Sequence, residues 1–146
     1  MSTREAALAG LLAAIQAQAP AGCDVQRDDG NADALPQQAS LIVIGAGAVE
    51  SEAVLSPLSY CITLQPEVTV AAYQPADLDA ALGAIVDAYA VDPTLGGAID
   101  GWLIGDPTFT TVTQTEPLGG QDVPLPPFQA AQVPLQLFYS ATSPLG

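Results

Sequence analysis

The chain has 146 residues with sixteen acidic side chains, two cationic ones and no His, which gives a formal net charge of −14 at pH 7. A surface with this charge repels phosphates, so it disfavours nucleic-acid binding through ion pairs and docking to anionic lipid. Because both cations are Arg, the absence of Lys and His also excludes a P-loop, a lysine Schiff base, a Ser-His-Asp triad and a histidine zinc site.

The composition predicts one folded domain over residues 1–146. Hydrophobic residues make up 49 % of the chain and aromatic ones only 5 %, so the core is expected to consist of Leu, Ile, Val and Ala. Cys23 and Cys61 are too few for a disulfide framework and are predicted to be reduced thiols. The amphipathic N-terminal run argues against a signal peptide, and no window is long enough for a transmembrane helix.

The first predicted element is an amphipathic helix. Ser2 and Glu5 have the spacing of a capping box, and Pro20 ends the helical pattern. The apolar stripe of this helix recurs at i, i+3, i+4 and i+7 and consists of Leu8, Leu11, Leu12 and Ile15.

Residues 22–39 are predicted to form a surface loop with a short strand at Val25. The oxygen-bearing side chains of this loop are Asp28, Asp29, Asn31 and Asp33. Their spacing invites comparison with a calcium loop, but the glycine and the closing Glu of an EF-hand are out of register. No metal is therefore expected here.

Two strands are predicted before the second helix. Residues 41–44 form a continuous apolar run, typical of a strand buried on both faces. The following Gly45-Ala46-Gly47 lacks the third Gly and the helix of a dinucleotide fingerprint. It is predicted to be a glycine bulge at a hairpin, before a turn-rich stretch over residues 51–57. Residues 60–73 alternate between apolar and polar, which predicts a half-buried antiparallel strand, and Pro66 indicates an edge or a bulge in it.

A second helix is predicted to begin at Pro75 and to stop at Asp92, because the Asp92-Pro93 step disfavours helical geometry. The predicted buried stripe of this helix is Leu78, Leu82, Ile85, Val86 and Tyr89. The next segment is predicted to be a structural hinge in which the glycine pair takes positive φ and the Trp anchors the turn in the core or an interface. The hinge residues are Asp92, Pro93, Leu95, Gly96, Gly97 and Trp102. Phosphate binding by the glycine pair is disfavoured because no cation is near in sequence.

The second half is predicted to expose much of its backbone. Residues 108–115 are Thr-rich and suit an exposed hairpin, and the Pro- and Gly-rich residues 116–128 predict a stiff, extended loop without strand period. The last strand, over residues 131–139, contains Pro134, which again indicates an edge, and residues 140–146 are predicted to be an extended tail.

Together these elements predict an α+β fold in the order α-β-β-α-β-β. About four main strands are expected to form a mostly antiparallel sheet, with the two helices packed on one face. The abundance of exposed edges predicts a homo-oligomer.

Carboxylate pairs are the remaining possibility for catalysis. Asp77 with Asp79, or Asp100 with Asp106, could serve as general acid and base. Dispersed surface acids are the favoured interpretation, so we predict no catalytic residue, no cofactor, no metal and no enzymatic activity.

The order and spacing of five segments resemble those of the tail terminator proteins of long-tailed bacteriophages, which also occur in related prophages and gene transfer agents of alphaproteobacteria. These segments are the Ala/Leu-rich N-terminal helix and residues 55–60, 92–97, 131–139 and 143–146. The chain departs from a typical member in having almost no basic residues, which bears on any contact that a relative makes through Arg or Lys.

The resemblance implies a structural virion protein without catalysis, assembled in the cytoplasm of a bacterial host and located at the tail–neck junction. It implies a homohexameric ring that caps the head-proximal end of the tail tube, stops tube polymerisation and joins the tail to the head-completion (stopper) proteins. DNA would pass through the lumen without specific binding, and no membrane would be involved. The alternatives are another neck adaptor, a baseplate component or a small carboxylate-dependent enzyme.

The exposed hairpin, the proline loop and the C-terminal tail are the predicted contacts with neighbouring subunits or the tail tube. The candidate interface residues are Thr108, Phe109, Thr110, Thr111, Val112, Thr113, Leu118, Gly119, Gly120, Pro126, Pro127 and Leu145.

Overall fold

The computed structural model describes residues 3–27, 39–55, 58–113, 115–124 and 127–141. In these ranges the helices are α1 (Thr3–Gln18) and α2 (Pro75–Val91). The strands are β1 (Cys23–Arg27), β2 (Ser40–Ile44), β3 (Ala48–Leu55), β4 (Leu58–Gln65), β5 (Glu67–Ala72), β6 (Gly101–Ile104), β7 (Thr108–Val112), β8 (Thr115–Leu118), β9 (Gln121–Pro124) and β10 (Phe128–Ala141).

The predicted α-β-β-α-β-β order with about four main strands is wrong. Eight strands form one sheet, β8 and β9 form a separate pair, and every pairing except β1 with β2 is antiparallel. The arrangement is α+β, with two helices and a mostly antiparallel sheet. The extra strands arise because the long strands are interrupted at Gly and Pro positions, and because β3 and β6 occupy stretches in which no strand was predicted.

The long strand β10 lies in the middle of the main sheet. Its first half pairs with β5 on one side and β7 on the other, and its second half pairs with β4 and β6. Farther from β10, β2 pairs with β5 and β3 pairs with β4, and β1 adds an outer strand beside β2. Consecutive strands such as β4 and β5 thus continue one another along the sheet.

The breaks between β2 and β3, between β4 and β5 and between β6 and β7 lie side by side across the sheet. Backbone hydrogen bonds at these breaks run from Gly45 N–H to Glu67 (2.9 Å), from Leu135 N–H to Pro66 (3.1 Å) and from Gly105 N–H to Pro134 (2.8 Å). Pro66 and Pro134 are therefore in central strands, and the prediction that Pro134 marks an edge is wrong. A proline is accommodated here because its carbonyl still accepts a bond while its missing N–H falls at the interruption.

The predicted glycine bulge is present between β2 and β3, but the hairpin predicted with it is wrong, because β2 pairs with β5 and β3 pairs with β4. Between the pairs Ile44 with Val68 and Ala48 with Gln65, three residues of one strand face two of the other. Gly47 has φ +69°, and a Cβ on it would lie 1.9 Å from the carbonyl oxygen of Gln65. Only glycine fits this position without a shift of the neighbouring strand.

One face of the sheet forms the core with both helices. Val25, Ile42, Val70 and Ala131 lie side by side on neighbouring strands and are buried on this face. The helices contribute Leu8, Leu11, Ala14 and Ile15 from α1 and Leu78, Ala81, Ile85 and Ala88 from α2 to the same cluster. The predicted aliphatic core is thus confirmed. No helix in the described ranges is both long and apolar enough to span a membrane.

Both cations of the chain belong to α1 and β1. The guanidinium of Arg27 donates to both carboxylate oxygens of Glu5, at 3.0 and 3.3 Å, and holds the pKa of that carboxyl below its ordinary value. Since a lowered pKa favours the folded state only while the carboxyl is charged, this contribution is lost as the pH falls through the pKa of Glu5 in the folded protein. Arg4 lies in the first turn of α1.

Within the predicted irregular loop over residues 116–128, residues 116–124 instead form most of a hairpin. Backbone pairing of β8 with β9 makes a hairpin whose two turn residues, Gly119 and Gly120, have φ +60° and +81°. Positive φ at both central residues is the geometry of a type I′ turn, which matches the twist of the flanking strands. Residues 28–38 of the predicted surface loop and residues 142–146 of the predicted tail lie outside the described residues. Cys23 and Cys61 are free.

Candidate functional site

The segment after α2 has the predicted turn. The helix ends at Val91, the Asp92 N–H donates to Ala88 at 2.9 Å, and the Asp92 carboxylate accepts from Gly96 N–H at 2.9 Å. Leu95, Gly96 and Gly97 then have φ values of +50°, +71° and +88°. Three consecutive residues with positive φ reverse the chain and direct it into β6.

Side chains in the core hold this turn. The positive φ of Leu95 is costly for a residue with a Cβ. Leu95 is nevertheless held there because its side chain is buried against Gly10 of α1. A Cβ added to Gly10 would lie only 3.1 Å from the Leu95 Cβ. Trp102 of β6 is 2 % exposed and donates its indole N–H to the Asp92 carbonyl at 3.4 Å. Its ring meets Tyr89 of α2 edge to face, with centroids 5.1 Å apart. The predicted anchoring of the turn by Trp102 is confirmed, and it positions β6 beside α2.

Next to this anchor, β6 and β7 form an open edge of the main sheet. Both strands pair with β10 on one side, and in the ranges that the structure describes no strand pairs with their other side. The carbonyls of Pro134 and Phe138 in β10 accept hydrogen bonds from the backbone N–H groups of Gly105 and Asp100. The backbone N–H and C=O groups of the even-numbered residues of β10 therefore point toward β6 and β7. Because Thr110 is opposite Ala130, Phe109 and Thr111 point their backbone N–H and C=O groups outward.

This edge differs in charge from the opposite edge of the sheet. β7 has the sequence Thr-Phe-Thr-Thr-Val and contains no charged residue. At the opposite edge, β1 carries Asp24 and Arg27, and β3 carries Glu50 and Glu52. Charged side chains on an edge strand hinder pairing with another chain. The opposite edge therefore has this protection and β7 lacks it.

An apolar groove lies between α2 and the β6–β7 edge. It has a volume of about 110 Å³ and is lined by Leu82, Ile85, Val86, Ile104, Gly105, Pro107 and Val133. Three large apolar side chains at or beside this edge are exposed, Val86 of α2 (55 %), Leu103 of β6 (54 %) and Phe109 of β7 (59 %). The prediction that Val86 and Tyr89 belong to the buried stripe of α2 is wrong, because both side chains are exposed.

The predicted interface residues are distributed over two features. Thr108, Phe109, Thr110, Thr111 and Val112 form β7, and Thr113 follows it. Leu118, Gly119 and Gly120 belong to the β8–β9 hairpin, Pro127 is exposed just before β10, and Pro126 and Leu145 lie outside the described residues.

The residues that complete the site were not predicted as part of it. They are the groove residues from α2 and the β6–β7 connection, among them Leu82, Val86, Ile104 and Pro107. The residues Leu78, Leu82, Ile85 and Tyr89 follow the helical spacing of one stripe on α2, and Val86 lies beside this stripe, about 100° around the helix from Ile85. This marginal position is the sequence signal that could have identified it as exposed.

The structure does not bring the two candidate carboxylate pairs together. Asp77 and Asp79 are two residues apart on α2 and point about 200° apart around the helix. Asp100 and Asp106 flank opposite ends of β6. Within the described part of the chain, no three Cys, Asp or Glu side chains are grouped so that they could hold a metal ion.

No protein-family model matches the chain, and no curated protein matches its sequence.

Proposed function

We propose that this chain is a structural virion protein of the tail terminator kind. Six copies form a ring that caps the head-proximal end of a tail tube, stops its polymerisation and joins the tail to the head-completion proteins. The proposal starts from the order of segments that resembles this class, and it requires surfaces that bind other proteins.

The observation that supports it best is the open β6–β7 edge, whose two strands carry no charged residue, beside an apolar groove. An edge strand with free backbone groups and exposed apolar side chains favours pairing with another chain, and folded proteins usually protect such edges. Unlike the edge strands β1 and β3, the edge strands β6 and β7 carry no charged side chain, so desolvation along them is inexpensive. The edge suits a protein whose role is to dock.

The charge of the chain suits the passage of DNA through such a ring. With sixteen acidic and two cationic side chains per copy, a lumen would be expected to repel phosphates. A genome would then slide through without binding, because the counterion release that drives DNA binding needs Lys or Arg.

Electron microscopy of the purified protein, alone and mixed with tail tube protein, tests the proposal. We expect rings about as wide as a tail, bound to one end of each tube, and shorter tubes when the protein is present during polymerisation. A monomer that leaves tubes uncapped would contradict the proposal. Rings that ignore tubes but bind the stopper protein would instead indicate a neck adaptor.

The fraction of chains in rings should rise from low to moderate salt. Acidic subunits repel one another over a Debye length of roughly 30 Å at 0.01 M and roughly 10 Å at 0.1 M ionic strength. Native mass spectrometry across this range measures the fraction, and a decrease with added salt would oppose the expectation.

A further inference from the structure

We infer that the β6–β7 edge binds an extended, basic segment of a different protein, with one apolar side chain of that segment in the groove beside α2. The inference rests on the proposed docking role of this edge but not on the ring. It names the chemistry of the partner and excludes a second copy of this chain as the occupant.

The backbone of β7 provides the first part of the binding surface. The outward N–H and C=O groups of Phe109 and Thr111 are spaced as in a ladder and can pair with an added strand. β7 is exposed along its length except at Val112, which is half-buried. An extended segment can therefore lie along it without displacing a described strand.

The groove provides the second part. Alternate side chains of an added strand point to the face of the sheet that carries α2. On that face they meet Phe109, which is aligned with the buried Ala131, and the groove formed by Val86, Ile104 and Pro107. The groove volume of about 110 Å³ suits one aliphatic side chain. Burial of that side chain would also cover the exposed Val86.

Acidic side chains flank the groove. Asp79 lies on the same side of α2 as Leu82 and Val86, three and seven residues away, and is exposed. Asp106 is exposed between Gly105 and Pro107, both of which line the groove. A segment with Lys or Arg beside its apolar anchor would meet opposite charge next to the groove.

The same charges disfavour a second copy. Both cations of this chain are in α1 and β1, at the opposite edge of the sheet, where Arg27 is bonded to Glu5. That edge also carries Asp24, Glu50 and Glu52. Contact between this edge of one copy and the β6–β7 edge of another would place more acids than cations against Asp79 and Asp106.

Two synthetic peptides test the inference on the full chain. Both contain Thr-Leu-Thr-Val, and one is flanked by two Lys at each end while the other is flanked by two Glu. Titration of the ¹⁵N-labelled protein should shift the amide signals of Phe109 and Thr111 with the Lys peptide, and this peptide should bind at least tenfold more tightly than the Glu peptide. Equal affinities, or binding that leaves β7 unshifted, would overturn the inference.

Paired variants separate the three parts of the surface. Val86→Thr should weaken Lys-peptide binding at least threefold, while Val91→Thr, on the opposite side of α2 and 69 % exposed, should leave it unchanged. Asp79→Asn with Asp106→Asn should reduce the preference for the Lys peptide, and Asp87→Asn should not. Thr111→Pro removes an outward N–H without breaking the β10 ladder and should also weaken binding. Equal effects of variant and control would contradict the assignment.

The oligomeric state of the same samples distinguishes this inference from the proposed function. Native mass spectrometry without peptide should give the same assembly for wild type, Val86→Thr and Val91→Thr. Loss of the assembly with Val86→Thr alone would show that a second copy occupies the edge and would overturn the inference. Rings that cap tubes but bind neither peptide would overturn the inference and leave the proposed function standing.

Discussion

Replacement of Gly47 by Ala is expected to lower the free energy of unfolding by about 3 to 5 kcal/mol. The added Cβ would lie 1.9 Å from the Gln65 carbonyl oxygen and 2.7 Å from the Pro66 Cα, both backbone atoms of the neighbouring strand. Neither atom can move without shifting the backbone where β4 and β5 meet, which is hydrogen-bonded to Gly45 on one side and to Leu135 of β10 on the other. Urea denaturation followed by far-UV circular dichroism measures the change.

Gly96→Ala is the matched control for this prediction. Gly96 has φ +71°, close to the +69° of Gly47, but a Cβ on it would meet no atom within 4 Å. Its replacement should therefore cost only the backbone strain, about 1 to 2 kcal/mol. If both variants lower the free energy of unfolding by the same amount, the contact between a Cβ at position 47 and the Gln65 carbonyl is not the reason that glycine is required there.

Trp102→Ala should cost about 3 to 5 kcal/mol, because it leaves a cavity at a buried aromatic side chain and removes the contact with Tyr89. The neighbouring Leu103→Ala, at a position that is 54 % exposed, should change the free energy of unfolding by less than about 0.5 kcal/mol. Thermal and urea unfolding of both variants measure the difference. Similar losses for the two would mean that Trp102 does not anchor β6 to α2.

The helices were predictable because their signals are local. The apolar stripe around Leu8 and Leu11 and the stop at the Asp92-Pro93 step need no knowledge of distant residues. The glycine bulge at residues 45–47 was predictable for the same reason. By contrast, Pro134 marks either an edge or an interruption inside a sheet, and only the pairing of β10 on both sides decides between them.

The strand β3 was missed because it combines a weak pattern with an edge position. The small, exposed residues Ser51 and Ala53 are opposite Ile62 and Tyr60 of β4, and the alternate positions are Glu50 and Glu52, so the apolar alternation is faint. The hairpin β8–β9 was missed because Pro117 and Pro124 suggested an irregular loop, although Gly119-Gly120 is a turn signal.

The candidate site was predictable only in part. The Thr-rich strand around Phe109 stands out in the sequence as a strand with little to bury. The groove beside it depends on Val86 and Ile104, which come from different elements and meet because Trp102 holds β6 against α2. Such a juxtaposition follows from tertiary packing and not from any local pattern.

Hydrogen–deuterium exchange of the protein alone and in complex with tail tubes tests most directly whether the β6–β7 edge is the docking surface. In the free protein the outward amides of Phe109 and Thr111 should exchange rapidly, and capping of tubes should slow them at least tenfold, while β3 at the opposite edge changes less. Capped tubes in which the exchange of β7 is unchanged would contradict the account, because docking would then use another surface.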